Sequence, residues 1–118
     1  MASSNIQEYN FAVYQGSSFS KTFSLTDSDG SATDLTGYGV RGVVKHRYSD
    51  TSSILSLSPT IATPSTDGNV NVNISANLTT DLAVGEMVYD IEKNPASNPE
   101  GVEKVIEGYF NVTPEVTT

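Results

Sequence analysis

The sequence predicts an all-β sandwich of about seven short strands with one short helical turn, and three observations carry that expectation. Ser, Thr, Asn and Gly are abundant, while apolar residues at helical spacing are almost absent. Several segments alternate apolar and polar residues with a period of two, as half-buried strands do. Turn residues separate these segments at short intervals, a spacing that suits a sandwich of antiparallel strands.

Residues 1–10 show weak patterning and read as a flexible N-terminal arm, leaving 11–118 as a single domain, the size that 118 residues support. Phe19, Lys21, Phe23 and Leu25 alternate with Ser18, Ser20, Thr22 and Ser24, which places the aromatic rings on a buried face and the hydroxyls on the other. Asp27-Ser28-Asp29-Gly30 supplies the turn chemistry that follows. A second strand is expected over 38–46, where Gly37, Gly39 and Gly42 forecast irregular pairing or a close backbone approach. Residues 47–53 lack periodicity and read as a contact loop.

Residues 54–58 form a short segment that stops before Pro59, as an edge strand does. Val70, Val72 and Ile74 then alternate with Asn69, Asn71, Asn73 and Ser75. Residues 77–85 hold the helical candidate: Asn77 caps it, Leu78 and Leu82 pin it to the core, and Gly85 ends it. In the closing pair, Met87, Tyr89 and Ile91 share a face opposite Val88 and Asp90. Val102, Lys104, Ile106, Gly108, Phe110 and Val112 oppose Glu103, Val105, Glu107, Tyr109 and Asn111. Both faces are partly apolar, so these strands belong inside a sheet whose second face also touches something. Pro95 and Pro99 stiffen the protruding tip between them.

Fourteen acidic against six basic side chains give a net charge of −8, which disfavours binding to nucleic acid or an anionic membrane. The absence of cysteine removes disulfides and thiolate metal sites. No run approaches the roughly 18 apolar residues of a membrane helix, and the first residues lack the basic and apolar regions of a secretory signal. Synthesis in a cytoplasm is expected, so the tripeptides starting at Asn73, Asn77 and Asn111 are not expected to be glycosylated.

Candidate chemistry is sparse. His46 lies between Lys45 and Arg47, without the convergent partners of a catalytic triad. Asp27, Asp29 and Asp34 resemble the start of a calcium loop but lack its later bidentate glutamate, so turns are expected there and no metal. Glu86, Asp90, Glu92, Glu103 and Glu107 read as a solvated acidic face, because a glycosidase needs two carboxyls across a cleft with aromatic walls. Asp90 is expected to bond backbone or Arg41. Arg41, Lys45, His46 and Arg47 concentrate basic charge in an acidic chain and read as a salt-bridge or interface site. No catalytic residue and no cofactor is expected.

Several segments form one ordered pattern: Leu35-Thr36-Gly37-Tyr38, the alternating strand to Ser75, the turn to Gly85, Tyr89-Asp90, Glu107-Gly108, and Pro114-Glu115-Val116-Thr117. This order, over about residues 11–117, resembles small Ig-like virion structural proteins of tailed bacteriophages, many from marine cyanophages. It is also similar to the N-terminal domain of phage baseplate upper proteins. The resemblance implies an Ig-like sandwich without enzymatic activity, made in the host cytoplasm and carried in the virion. Its partners would be other virion proteins, in multiple copies of a symmetric assembly. Longer relatives continue past the Pro-Glu-Val-Thr segment into fibre or receptor-binding domains, so an accessory adaptor of the neck, tail or baseplate is expected, with capsid decoration as the alternative. Contact residues expected on this reading are Phe11, Tyr14, Arg41, Lys45, His46, Arg47, Tyr48, Asn94, Pro95, Asn98, Pro99 and Val116. Two other classes compete with it. A carbohydrate-binding module needs Tyr14, Tyr38, Tyr48, Tyr89 and Tyr109 exposed on one face, and a small hydrolase needs Asp90 or Glu107 as a catalytic acid.

Overall fold

The computed structural model describes residues 6–27, 29–98 and 100–114. Among them run β1 (Gln7–Glu8), β2 (Phe11–Tyr14), β3 (Phe19–Ser24), β4 (Tyr38–Lys45), β5 (Leu55–Ser56), β6 (Thr60–Ile61), β7 (Asn69–Ile74), the five-residue helix α1 (Ala76–Thr80), β8 (Gly85–Pro95) and β9 (Glu103–Thr113). A 3-10 turn at Ser65–Asp67 precedes β7. The six-stranded sheet has β1 and β2 beside β9, then β8, β4 and β5, while the three-stranded sheet has the order β3-β7-β6. This is an all-β sandwich with Ig-like connectivity, in which the opening strands lie parallel to β9 and every other pairing of named strands is antiparallel.

The period-two segments become the inner faces of both sheets. Phe23 and Leu25 of one layer and Val70, Val72 and Ile74 beside them meet Met87, Tyr89, Ile91, Ile106, Phe110 and Val112 of the other. Phe11 is fully buried, with its ring centroid 4.6 Å from Tyr89, 4.9 Å from Phe19 and 5.3 Å from Phe110. Each such ring contributes about 1.5–3 kcal/mol by leaving water. Phe11 is therefore a core residue, which corrects its expected role as a contact.

The opening strands explain why. Residues 1–5 of the expected arm lie outside the described residues, whereas Gln7 and Glu8 pair with Ile106 and Glu107, and Phe11 pairs with Phe110. At the kink between β1 and β2, the Tyr9 amide donates to the Glu107 carbonyl at 3.0 Å. The Asn10 side-chain oxygen accepts from the Tyr109 amide at 3.0 Å. Gly108 makes room for this kink, since a Cβ there would overlap the Tyr9 carbonyl.

Three other expectations change. The β4–β8 register runs unbroken from Tyr38 opposite Pro95 to Lys45 opposite Val88, so the glycines do not disturb pairing. Gly42 instead allows a close approach, because a Cβ would stand 2.9 Å from the Asp90 carbonyl oxygen. The helix is capped at Ser75 and not Asn77, which turns Leu78 outward and buries Thr79. Thr79 donates to the Ser17 carbonyl at 2.8 Å, and Leu82 still reaches the core. The third change is a bulge between β8 and β9: Ile91 pairs with Ile106 but Glu92 with Lys104, leaving Val105 as the extra residue. The bulge lets Val105 and Ile106 both enter the core and moves Lys104 to the opposite face from the one its spacing implied.

The outer face of the small sheet is an uncharged ladder. Ser20, Thr22 and Ser24 donate to the side-chain oxygens of Asn73, Asn71 and Asn69 at 2.8, 2.7 and 2.9 Å. The free edge at β3 carries an inward-facing Lys21, its Nζ 4.7 Å from the Tyr9 ring centroid. A charge on the inner side of an edge strand opposes strand addition and aggregation.

Candidate interaction surface

Alternation along β4, β8 and β9 decides which side chains leave the core. Arg41, Val43 and Lys45 of β4 stand beside Glu92, Asp90 and Val88 of β8, whose partners on β9 are Lys104, Glu107 and Tyr109. The flanking strands add Glu8 opposite Glu107 and Tyr14 opposite Thr113. These residues form the outer face of the six-stranded sheet.

Five of its charges form ion pairs. Arg41 Nε meets Glu92 Oε1 at 3.0 Å. Lys104 Nζ, delivered by the bulge, meets Glu107 Oε1 at 3.1 Å and Asp90 Oδ2 at 3.5 Å. The bond from Glu107, opposed by partial burial and aided by Asp90, holds the Lys104 ammonium above its ordinary range. The sequence reading expects Asp90 to bond backbone or Arg41; its carboxylate instead pairs with Lys104, and Arg41 pairs with Glu92. Asp90 and Glu107 are neighbours on one face and share a lysine. A carboxyl pair for glycoside cleavage flanks the scissile bond from two sides.

Tyr48 leaves the β4–β5 loop and folds back over this face. Its ring centroid is 5.7 Å from Lys104 Nζ. Partial burial, and next the Glu107 charge, raise its hydroxyl above the usual range. With Arg41, Val43, Lys45, Val88, Asp90 and Glu92 it borders a depression of about 260 Å³. Tyr14, Tyr48 and Tyr109 remain 57%, 59% and 47% exposed. Among the described residues, no large exposed hydrophobic side chain lies on β3, β6 or β7.

Tyr14, Arg41, Lys45 and Tyr48 of the expected contact residues share this face. His46 and Arg47 are exposed in the adjoining loop, where His46 borders a shallow hollow with Asp50 and Ile54. Asn94 and Pro95 end β8 opposite Gly39 and Tyr38 of β4, and Asn98 lies in the turn that leads to β9, its amide donating to the Pro95 carbonyl at 3.0 Å. Pro99 and Val116 lie outside the described residues. Val88, Lys104 and Tyr109 belong to the face although they are not among the contact residues expected from the sequence. The outward phase of Tyr109, between the inward Gly108 and Phe110, was the available signal.

Asp27, Asp29 and Asp34 each accept a local hydrogen bond. Asp29 accepts from the Ser31 amide and Asp34 from the Thr36 amide, both at 2.9 Å; the Ser31 amide and then its side chain hold the Asp29 carboxyl below its ordinary range, as the Thr36 side chain and then its amide do for Asp34. Asp27 accepts from Thr33 Oγ1 at 2.9 Å. Among the described residues, no cluster of three or more acidic or histidine side chains is placed to hold a metal.

No family model matches this sequence, and no curated protein matches it. Among solved structures, a family 123 glycoside hydrolase from Clostridium perfringens, described for glycolipid glycan hydrolysis, is similar at TM-score 0.44 and 11% identity. The alignment covers 97% of this chain and 24% of that one, so the chain spans about a quarter of the enzyme's length. A likeness at that score assigns neither activity nor substrate.

Proposed function

We propose that this chain is a non-enzymatic structural protein of a tailed-phage virion, an accessory adaptor of the neck, tail or baseplate. It binds neighbouring virion proteins through the outer face of its six-stranded sheet. The difference between its two outer faces carries this reading. One is a hydrogen-bonded Ser/Thr–Asn ladder suited to water. The other gathers the exposed rings of Tyr14, Tyr48 and Tyr109 together with Arg41, residue types enriched at protein interfaces, beside ion pairs. The ordered sequence pattern supports the phage assignment.

Quantitative mass spectrometry of purified virions tests it, with the chain expected as a stoichiometric component. A copy number of about six or twelve favours a neck, tail or baseplate ring, whereas hundreds favour capsid decoration, as closed symmetry requires. Absence from the particle overturns the proposal.

The carbohydrate-binding alternative keeps one supporting observation, three exposed tyrosines on one face. Tyr89 is buried and Tyr38 packs against the core, so two of its five required rings are withdrawn. Glycan binding abolished by Tyr48→Ala or Tyr109→Ala would favour it.

A further inference from the structure

We infer that the free edge of β3 accepts an extended segment of another protein as an added strand, and that Lys21 selects a segment carrying a carboxylate. The inference goes beyond the proposed function, since it uses neither the outer face of the six-stranded sheet nor the virion assignment. Edge length is the first observation. β1, β5 and β6 are two residues long and β2 is four, lengths that offer little to pair with, whereas β3 offers six.

Backbone phase is the second. The Leu25 amide donates to the Gly68 carbonyl at 2.8 Å, and the Ala62 amide donates to the Asn69 carbonyl at 2.9 Å. Along β7, Val70, Val72 and Ile74 therefore turn their backbone groups to β3, as Gly68 does, while Asn69, Asn71 and Asn73 turn theirs to β6. Their β3 partners Phe23, Lys21 and Phe19 are bonded into the sheet, which points the amides and carbonyls of Ser20, Thr22 and Ser24 out of its edge. Among the described residues these six groups have no hydrogen-bond partner. They repeat about every 6.8 Å, the interval at which an antiparallel strand presents its own.

Lys21 decides what fits. Its Nζ stands 4.7 Å from the Tyr9 ring centroid and 5.7 Å from that of Phe23. Among the described residues no carboxylate pairs with it. An apolar or basic residue set opposite would meet an uncompensated ammonium, so the edge is closed to indiscriminate strand addition. A Glu or Asp at that position forms an opposite-charge cross-strand pair instead. The fitting segment therefore carries a carboxylate opposite Lys21 and an apolar residue opposite Phe23 on its inner side. Its outer side carries small polar residues that continue the Ser/Thr–Asn ladder.

A synthetic peptide with the core Thr-Val-Thr-Glu-Ser tests this against the purified chain, because antiparallel register from Ser24 to Ser20 sets its Val opposite Phe23 and its Glu opposite Lys21. With peptide up to about 1 mM, the range of weak association, amide exchange followed by NMR is expected to slow at Ser20, Thr22 and Ser24. The Lys21 and Phe23 amides, already bonded to β7, should change little. Replacing the peptide Glu by Lys should weaken binding about fivefold or more, and Lys21→Glu in the chain should reverse that preference. Thr22→Pro, tolerated where an edge N–H faces solvent, should abolish binding of both peptides. Far-UV circular dichroism establishes that each variant is folded. Unchanged exchange at the three edge amides, equal affinity of the wild type for the Glu and Lys peptides, or undiminished binding by folded Thr22→Pro overturns the inference.

Discussion

The hydroxyl of Tyr89 donates a 2.6 Å hydrogen bond to the carbonyl of Tyr9, joining the middle of β8 to the kink between β1 and β2 across β9. Burial, and after it the Tyr9, Tyr48 and Glu107 charges, hold the Tyr89 hydroxyl far above its ordinary range. The folded chain therefore keeps this proton where the unfolded chain releases it. Stability from this group is complete below about pH 10, the unfolded value, and declines as pH rises toward the folded one. Lys104, also raised, contributes in the same direction. Tyr89→Phe is expected to lower stability at pH 7 by about 1–2 kcal/mol and to flatten the alkaline decline. Urea unfolding at pH 7 and pH 11 measures both; an equally steep decline in the variant contradicts the assignment.

Gly108 is the second half of that relationship. A Cβ at this position would overlap the Tyr9 carbonyl and stand 3.0 Å from Asn10 Oδ1. Gly108→Ala should cost about 1–3 kcal/mol or more through backbone displacement. Gly39→Ala, where a Cβ meets nothing within 4 Å, should stay within about 0.5 kcal/mol. Equal denaturation midpoints for the two variants would show that the kink does not depend on Gly108.

Phe11 and Tyr14 separate core from surface on the same strand. Phe11→Ala should destabilise by about 3–5 kcal/mol, because its buried ring packs on four other rings of the inner faces and on Tyr9. Tyr14→Ala, at an exposed position, should change stability by less than about 0.5 kcal/mol. Thermal unfolding of both variants decides it.

The small-sheet ladder should be measurable as coupling. A double-mutant cycle of Thr22→Ala and Asn71→Ala is expected to give about 0.2–1 kcal/mol, the range of cross-strand pairs. Zero coupling would mean that this bond is exchanged freely with water.

Strands with strict alternation were legible from the sequence. Phe19 to Leu25 and Val70 to Ile74 carry their own register, and Met87, Tyr89 and Ile91 take the core face that their spacing indicates. Phe11 was not placed because its partner, Phe110, is 99 residues away and its strand is only four residues long. The non-local parallel pairing leaves no local pattern beyond the alternation of Phe11 and Val13. Lys104 was put on the wrong face because strict alternation assumes no bulge; the adjacent apolar pair Val105-Ile106 was the mark of one. The helix starts from Ser75 where the sequence reading expects Asn77, and that shift of two residues exchanges Leu78 for Thr79 at the buried position. The candidate surface is half legible for the same reason: its basic strand lies in one sequence segment, whereas its acidic members come from β1, β8 and β9 and its tyrosines from β2, the β4–β5 loop and β9.

Cross-linking mass spectrometry on intact virions, with a lysine-reactive reagent, tests the docking face most directly. Lys45 and Lys104 stand on that face, and Lys21 lies on the edge of the opposite sheet. Expected are cross-links from Lys45 and Lys104 to other virion proteins or to a second copy of this chain. Particles in which only Lys21 forms such links, or in which the chain is absent, would contradict the assignment of that face.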